Sequence, residues 1–193
     1  MKHFEDEYGI TAQKLEIKEL KYATEIWMCK LYEAAGTFFN ATAFGADKNP
    51  NYFCEFLKSA FGYSDLDYRI LYFCLIEMQK KDKFYYECLE MYNNIETELD
   101  EILDENAVLL LPVHPEPAPH PIVTIPKLFN VAYTCIFNNF GLPGTTVPAG
   151  LSNGLPIGLQ ILAKKNCDRL TLAAGVELDT VFGGWRVPCP VLI

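Results

Sequence analysis

Serine is nearly missing: Ser59, Ser64 and Ser152 are the only three in 193 residues, and no two are adjacent. No serine-rich, glycine-flanked stretch exists in which one hydroxyl could activate another. Positive charge is also scarce, with 16 Lys and Arg against 25 Asp and Glu, a net charge of -9 and no basic run. That removes the electrostatic footprint of a protein that tracks phosphates, so nucleic acid is not an expected partner. No segment approaches the roughly 20 consecutive apolar residues of a membrane-spanning helix. The acidic start, Met1 to Glu7, has no apolar stretch of the signal-peptide kind. Seven cysteines (Cys29, Cys54, Cys74, Cys88, Cys135, Cys167, Cys189) form no C-x-x-C pair. Their odd number and scattered placement predict buried, reduced thiols in an intracellular protein rather than a disulfide framework or a zinc site.

What is present suffices for a fold. Half of the residues are hydrophobic, and the chain is long enough to bury one sizeable core. Composition changes near residue 106, from a charged, aromatic half with little proline or glycine to a half punctuated by both. The first half is expected to be mainly helical, the second α/β.

In the first half, Ala12 to Ile17 alternates as one strand would. A helix is predicted from about Glu19 to Ala35, with Leu20, Ala23, Trp27 and Leu31 on one side and Gly36 after its end. Phe53, Phe56, Leu57, Ala60 and Phe61 have the spacing of an amphipathic helix that Gly62 ends. Ser64 with Asp67 reads as a capping start for an apolar helix, Tyr68 to Gln79. A further helix, Lys83 to Leu103, would bury Tyr85, Cys88, Tyr92, Ile95, Leu99 and Ile102.

In the second half, Ala107 to Pro112 suits a strand covered on both faces. A proline-rich loop follows, then a helix from Phe129 to Phe140. Gly144 to Pro148 and Gly154 to Ala163 read as strands joined at Ser152-Asn153-Gly154, which makes Ser152 a turn residue and not a nucleophile. Asp168 is expected to cap a last helix that Gly183 and Gly184 stop. His114 and His120 flank Glu116, but six residues apart across prolines they do not make a pair of helical metal ligands. No metal site and no cofactor are expected.

Taken in order, Leu109-Leu110-Leu111-Pro112, Asn130, Gly141-Leu142-Pro143, Val147-Pro148-Ala149-Gly150, Gly154-Leu155-Pro156-Ile157-Gly158-Leu159-Gln160 and Asp168 resemble the C-terminal end of the amidase-signature family. His114-Pro115, Ala118-Pro119-His120, Phe129 to Thr134, Phe182-Gly183-Gly184-Trp185 and Leu20 to Ala23 with Glu25-Ile26-Trp27 are similar to the fatty-acid amide hydrolases, most of all the second of their two animal forms. The resemblance implies an α/β fold: the C-terminal part of a mixed sheet flanked by helices, incomplete in this chain. Residues 1–193 would be one portion of a single domain, with 1–105 mainly helical and 106–193 α/β.

It further implies hydrolysis of amide bonds by a serine nucleophile, a second serine held by a cis peptide bond, and a neutral lysine as base. A desolvated lysine with a lowered pKa makes the serine competent, and backbone N–H groups of a glycine-rich loop hold the oxyanion. In the family these groups precede the matching region, so they are expected upstream of Met1, and no catalytic residue is assigned here. Tyr133, Thr145 and Val147 are the residues the resemblance places against the acyl chain of the substrate. Expected partners are a lipid amide and a membrane surface, met through Phe53, Phe56 and Phe61 with Lys58, Lys80, Lys81 and Lys83 near the headgroups; a homodimer is a further option. The full-length form is expected to be intracellular and membrane-associated. Two other readings stand beside this one: a non-catalytic lipid- or protein-binding remnant of the fold, and an amidotransferase component that works on tRNA-borne glutaminyl precursors.

Overall fold

The computed structural model describes residues 2–36, 43–44, 51–67, 70–71, 74, 81–120 and 125–185. It falls into two compact units, one of residues 24–93 and one of residues 1–23 with 94–193.

The unit of residues 24–93 is helical. It holds most of α2 (Ala23–Ala35), α3 (Tyr52–Ala60) and the first part of α4 (Lys83–Ile102). A short 3-10 turn, Lys18–Tyr22, leads into α2. The buried side of α2 centres on Ile26, Met28 and Cys29, whereas Trp27 and Leu31, expected to lead it, are half-buried. Asp82 opens α4 by accepting from the Tyr85 N–H at 3.0 Å, which satisfies one of the free donors of the first turn. Cys29 on α2 and Cys88 on α4 are both buried. The rings of Tyr32 and Tyr85 meet edge to face at 6.3 Å. The Lys30 ammonium, two residues before Tyr32, lies over the ring of Tyr92, seven residues after Tyr85, at 4.6 Å, so the two helices run antiparallel.

Asn51 caps α3 by accepting from the Cys54 N–H at 3.2 Å. Ser64 does not cap the next helix. Its hydroxyl oxygen accepts from the Leu66 N–H at 3.1 Å in a local turn, and the N–H of Leu71 bonds to the Asp67 carbonyl. Leu71 and Cys74 are fully buried; the rest of the predicted helix over 68–79 lies outside the described residues.

The second unit is built on a sheet. Here β1 (Val108–Pro112), β2 (Gly144–Ser152) and β3 (Leu155–Ala163) pair antiparallel in the order β1-β3-β2. Asn153 and Gly154 form the two-residue loop between β2 and β3, with φ of 52° and 78°. Two residues in the left-handed region match the right-handed twist of the strands they join, which fixes Ser152 opposite Leu155; beyond a bulge, Thr145 lies opposite Ile161. The pairing slips between Pro148 and Leu151, where Gly150 has φ 101°.

Helix α6 (Asp168–Phe182) covers one face of this sheet. Val147, Ile161 and Leu178 form the core there, with Phe4 of α1 (Lys2–Tyr8) and Val108, Leu110, Leu159, Ala174 and Phe182 around them. His3 on α1 meets Glu177 on α6 at 2.7 Å. The other face carries α5 (Ala132–Asn139), which continues a 3-10 segment, Ile125–Val131. The strand expected at Ala12 to Ile17 is not one. Those residues have no partner strand among the described residues, and the Ala12 N–H donates instead to the Glu5 carboxylate.

Two further expectations change. Asp168 is the first residue of α6 rather than its cap; Cys167 holds that place without a side-chain bond, and Thr171 donates to the Asp168 carbonyl at 2.9 Å. Asp168 still sets a negative charge in the first turn, where the helix dipole favours it. The buried stripe of α4 runs Ile95, Leu99, Leu103, leaving Ile102 exposed, because a four-residue step keeps the stripe facing inward. At the far end of α6, Gly183 adopts φ 76° and the Gly184 N–H returns to the Asp179 carbonyl at 2.8 Å, as the sequence predicts for a glycine stop.

Candidate functional site

An open cleft of about 550 Å³ lies where β2 and β3 meet the segment after β1. Val113, His114, Ala118 and Pro119 form one wall, Thr146, Val147 and Pro148 another, and Pro156, Ile157 and Gly158 the floor, with Trp185 at the rim. Its size falls within the roughly 300–1,000 Å³ range of ligand pockets, and its lining is largely apolar.

Several local choices shape it. Pro112 ends β1, yet the Val113 N–H still reaches the Gly158 carbonyl at 3.1 Å and holds the loop against the sheet. Gly158 leaves the floor bare: a Cβ there would lie 3.3 Å from the Val147 carbonyl and 3.5 Å from a Val113 methyl. The loop is stiffened by its prolines and by Glu116, whose carboxylate accepts from Lys127 at 2.6 Å and Asn130 at 3.3 Å. His114 Nδ1 lies 2.7 Å from the Glu116 carbonyl, so the ring in its Nδ1–H tautomer donates to it. Glu116 is thereby neutralised by an ammonium and faces the cleft as a paired carboxylate. Among the described residues no group of three or more His, Cys, Asp or Glu is placed to hold a metal ion.

A second, smaller cavity of about 230 Å³ lies between α5 and the sheet, lined by Thr134, Phe137, Asn138, Leu142, Gly144, Thr146, Gln160 and Leu162. Gln160 is the polar anchor of this side. It is 6% exposed, and its side-chain amide donates to the Pro112 carbonyl at 3.1 Å and the Tyr133 carbonyl at 2.6 Å. One side chain thus ties together the end of β1, the middle of β3 and the first turn of α5.

The three residues expected to contact an acyl chain are not gathered at one place. Val147 borders the cleft, although its side chain is part of the core under α6. Thr145, two residues before it on the same face, donates to the Thr171 hydroxyl at 3.0 Å. Tyr133 keeps an exposed ring, and its carbonyl takes the Gln160 bond. Thr146, which no sequence motif singles out, borders both cavities. The period of two in a strand could have found it, since Thr146 must face opposite to Thr145.

The serines are engaged locally. Ser59 donates to the Leu66 carbonyl at 3.3 Å, and Ser64 approaches Glu55 at 3.5 Å. Ser152 closes the β2–β3 hairpin. On α3, Phe53 and Phe61 are 71% and 73% exposed and Leu57 shares their face, while Phe56 is half-buried. Among the described residues no helix is long and apolar enough to cross a membrane.

Comparison with known proteins agrees with this geometry. The family model described as Amidase matches residues 3–172. Fatty-acid amide hydrolase 2-A of Danio rerio is 36% identical over 97% of this chain, and fatty-acid amide hydrolase 2 of Homo sapiens is 30% identical over 96%. The chain spans 36% of the length of each. A glutamyl-tRNA(Gln) amidotransferase subunit of Methanosarcina barkeri is 31% identical over 51% of the chain and 22% of its own length. Among solved structures, a crystal structure of amidase superposes with a TM-score of 0.61 at 21% identity, covering 93% of this chain and 40% of that one. A glutamyl-tRNA(Gln) amidotransferase subunit from Thermotoga maritima gives 0.51 at 19%, covering 81% and 32%. These likenesses bear on the fold, and the family match with the sequence relatives carries the assignment: the chain belongs to the amidase family.

Proposed function

We propose that this chain forms part of a serine hydrolase that cleaves the amide bond of fatty-acid amides, and that its share of the work is to shape the acyl-chain cleft. The observation that carries the reading is the apolar cleft between Val113, Val147, Pro148, Ile157 and Trp185, in a chain similar over nearly its whole length to relatives named fatty-acid amide hydrolase 2. The nucleophile, its bridging serine and the base are assigned to residues outside these 193. Support comes from the three serines: the Ser59 and Ser64 hydroxyls are bonded to nearby backbone, and Ser152 ends β2 at the hairpin.

Val147 would set the cleft wall from beneath, its side chain packed under α6. Thr145 and Tyr133 would act one step away, Thr145 by fixing β2 on α6 and Tyr133 by holding α5 to Gln160. In the longer protein, Val147→Ala should shift preference toward longer or bulkier acyl chains and Val147→Phe toward shorter ones. An unchanged chain-length profile in both variants would contradict the cleft assignment.

The full protein would meet its lipid at a membrane surface. Phe53, Leu57 and Phe61 present an apolar stripe to solvent, and Lys58 lies beside it, paired with Glu55 at 2.5 Å. Such a helix can rest in the headgroup layer without spanning the bilayer. The tRNA-linked reading has less behind it: the amidotransferase relative that matches 92% of the chain is 27% identical, below the fatty-acid amide hydrolases, and a net charge of -9 opposes a phosphate-rich partner.

A further inference from the structure

The cleft and the smaller cavity follow one another along the same pair of strands. Thr146 and Pro148 on β2 and Pro156 and Gly158 on β3 border the cleft; Gly144, Thr146, Gln160 and Leu162 border the cavity. On each strand these residues stand two apart, so they share the face of the sheet that carries α5. Pro148 lies opposite Gly158 and Thr146 opposite Gln160, one step further along. Thr146 belongs to both linings, which puts the join between the two spaces at its side chain.

Gly158 lies at the same join. It is not among the glycines with positive φ, so the backbone there does not call for glycine, and glycine inside a strand otherwise weakens it. What its bareness provides is room. A Cβ on Gly158 would lie 3.5 Å from a Val113 methyl and 3.6 Å from the Thr146 methyl, besides 3.3 Å from the Val147 carbonyl. An added methyl group would thus stand in the gap between Val113 and Thr146, where the cleft gives onto the cavity.

We propose that Thr146 and Gly158 form a neck through which the far end of a long acyl chain passes from the cleft into the second cavity, and that this cavity takes a neutral polar group at that end. The proposal rests on the acyl-cleft reading and adds to it which residues read chain length and what the chain end carries. A chain short enough to end in the cleft never meets the neck; a long one crosses it. Beyond the neck the lining is mixed: Phe137, Leu142 and Leu162 are apolar, whereas Thr134, Asn138 and Gln160 are polar and uncharged. A hydroxyl that would lose its hydrogen bonds in the apolar cleft finds the Asn138 amide and the Thr146 hydroxyl there in place of water. A carboxylate finds no cation, since no charged side chain lines the cavity among the described residues.

The test is equilibrium dialysis of the full chain with a series of primary fatty amides from octanamide to octadecanamide, and with octadecanamide carrying a terminal hydroxyl. Wild type should bind more tightly as the chain lengthens and should accept the hydroxylated amide at least as well as the plain one. Gly158→Ala and Thr146→Leu, which narrow the neck from opposite strands, should leave octanamide within about twofold and weaken octadecanamide about tenfold, the effect of keeping one or two methylenes out of the site. Both should then disfavour the terminal hydroxyl. Thr146 is exposed, so its variant carries the test even if alanine at Gly158 unfolds the chain, which a thermal melt by circular dichroism would reveal. An unchanged length profile in both variants, or an equal loss for octanamide and octadecanamide, would overturn the neck and leave the cleft assignment standing. Wild type that binds none of the amides would overturn both.

Discussion

A methyl group added to Gly175 would sit 2.9 Å from the Cγ2 of Thr145 and 3.6 Å from a Val147 methyl. The missing side chain is what lets α6 lie directly on β2. Thr145 cannot swing away cheaply, because its branched side chain has few rotamers and its hydroxyl is bonded to Thr171. Gly175→Ala is therefore expected to destabilise the chain by about 1 kcal/mol, the overpacking cost less the helix-propensity gain of alanine. Adding Thr145→Ser, which keeps the hydroxyl and removes the obstructing methyl, should restore most of the loss in urea unfolding.

Gln160 offers a second test on the opposite face. Its amide serves two carbonyls at once, those of Pro112 and Tyr133. Gln160→Leu keeps the bulk but leaves both acceptors without this donor, for a predicted loss of about 1–3 kcal/mol. Gln160→Glu should cost more, since a carboxylate would face two carbonyl oxygens. Chemical denaturation of the two variants side by side reads the difference.

The hairpin that closes the cleft floor depends on its two loop residues. Gly154→Ala places a Cβ on a residue with φ of 78°, at an expected cost of about 1 kcal/mol. Asn153→Ala should cost less. Hydrogen exchange at the Leu155 and Ser152 amides would report the loosening locally.

At the exposed apolar stripe of Phe53, Leu57 and Phe61 the expectation concerns binding and not stability. Phe53→Ser and Phe61→Ser remove exposed rings, so unfolding midpoints should hardly move, whereas partitioning to anionic vesicles should fall about tenfold for each ring lost. Vesicle flotation that recovers wild type and double variant equally would remove the membrane reading.

Alkali should loosen the helical unit. Burial, before any neighbouring charge, pushes the Cys29 thiol up to about 12 from an ordinary value of 9.0. The folded state thus holds its proton more tightly than the unfolded chain. The stabilisation is complete below pH 9 and is lost progressively as the pH rises toward 12. Unfolding midpoints of Cys29→Ala should fall less steeply across that window than those of wild type.

Much of the fold was legible because its signals were local. Asn153-Gly154 set the hairpin, Gly183-Gly184 ended the last helix, and the spacing from Tyr85 to Leu99 marked one face of α4. What failed depended on partners the sequence does not name. Ala12 to Ile17 alternates like a strand but has no strand beside it among the described residues. Trp27 and Leu31 share a helical spacing, yet burial on α2 follows Ile26 and Cys29. The candidate cleft was only half visible. Val147, expected from the resemblance, borders it, but Thr146 and Gln160 matter through contacts with distant segments, and a motif fixes their order without showing which atoms they meet.

The most direct check on the amide-hydrolase account is the sequence of the natural transcript upstream of the codon for Met1, read in the same frame. The account predicts an open frame that encodes a lysine and, after it, a glycine- and serine-rich stretch containing paired serines. A stop codon in that frame close ahead of Met1 would contradict it, because this polypeptide would then lack the nucleophile and base that the reaction requires.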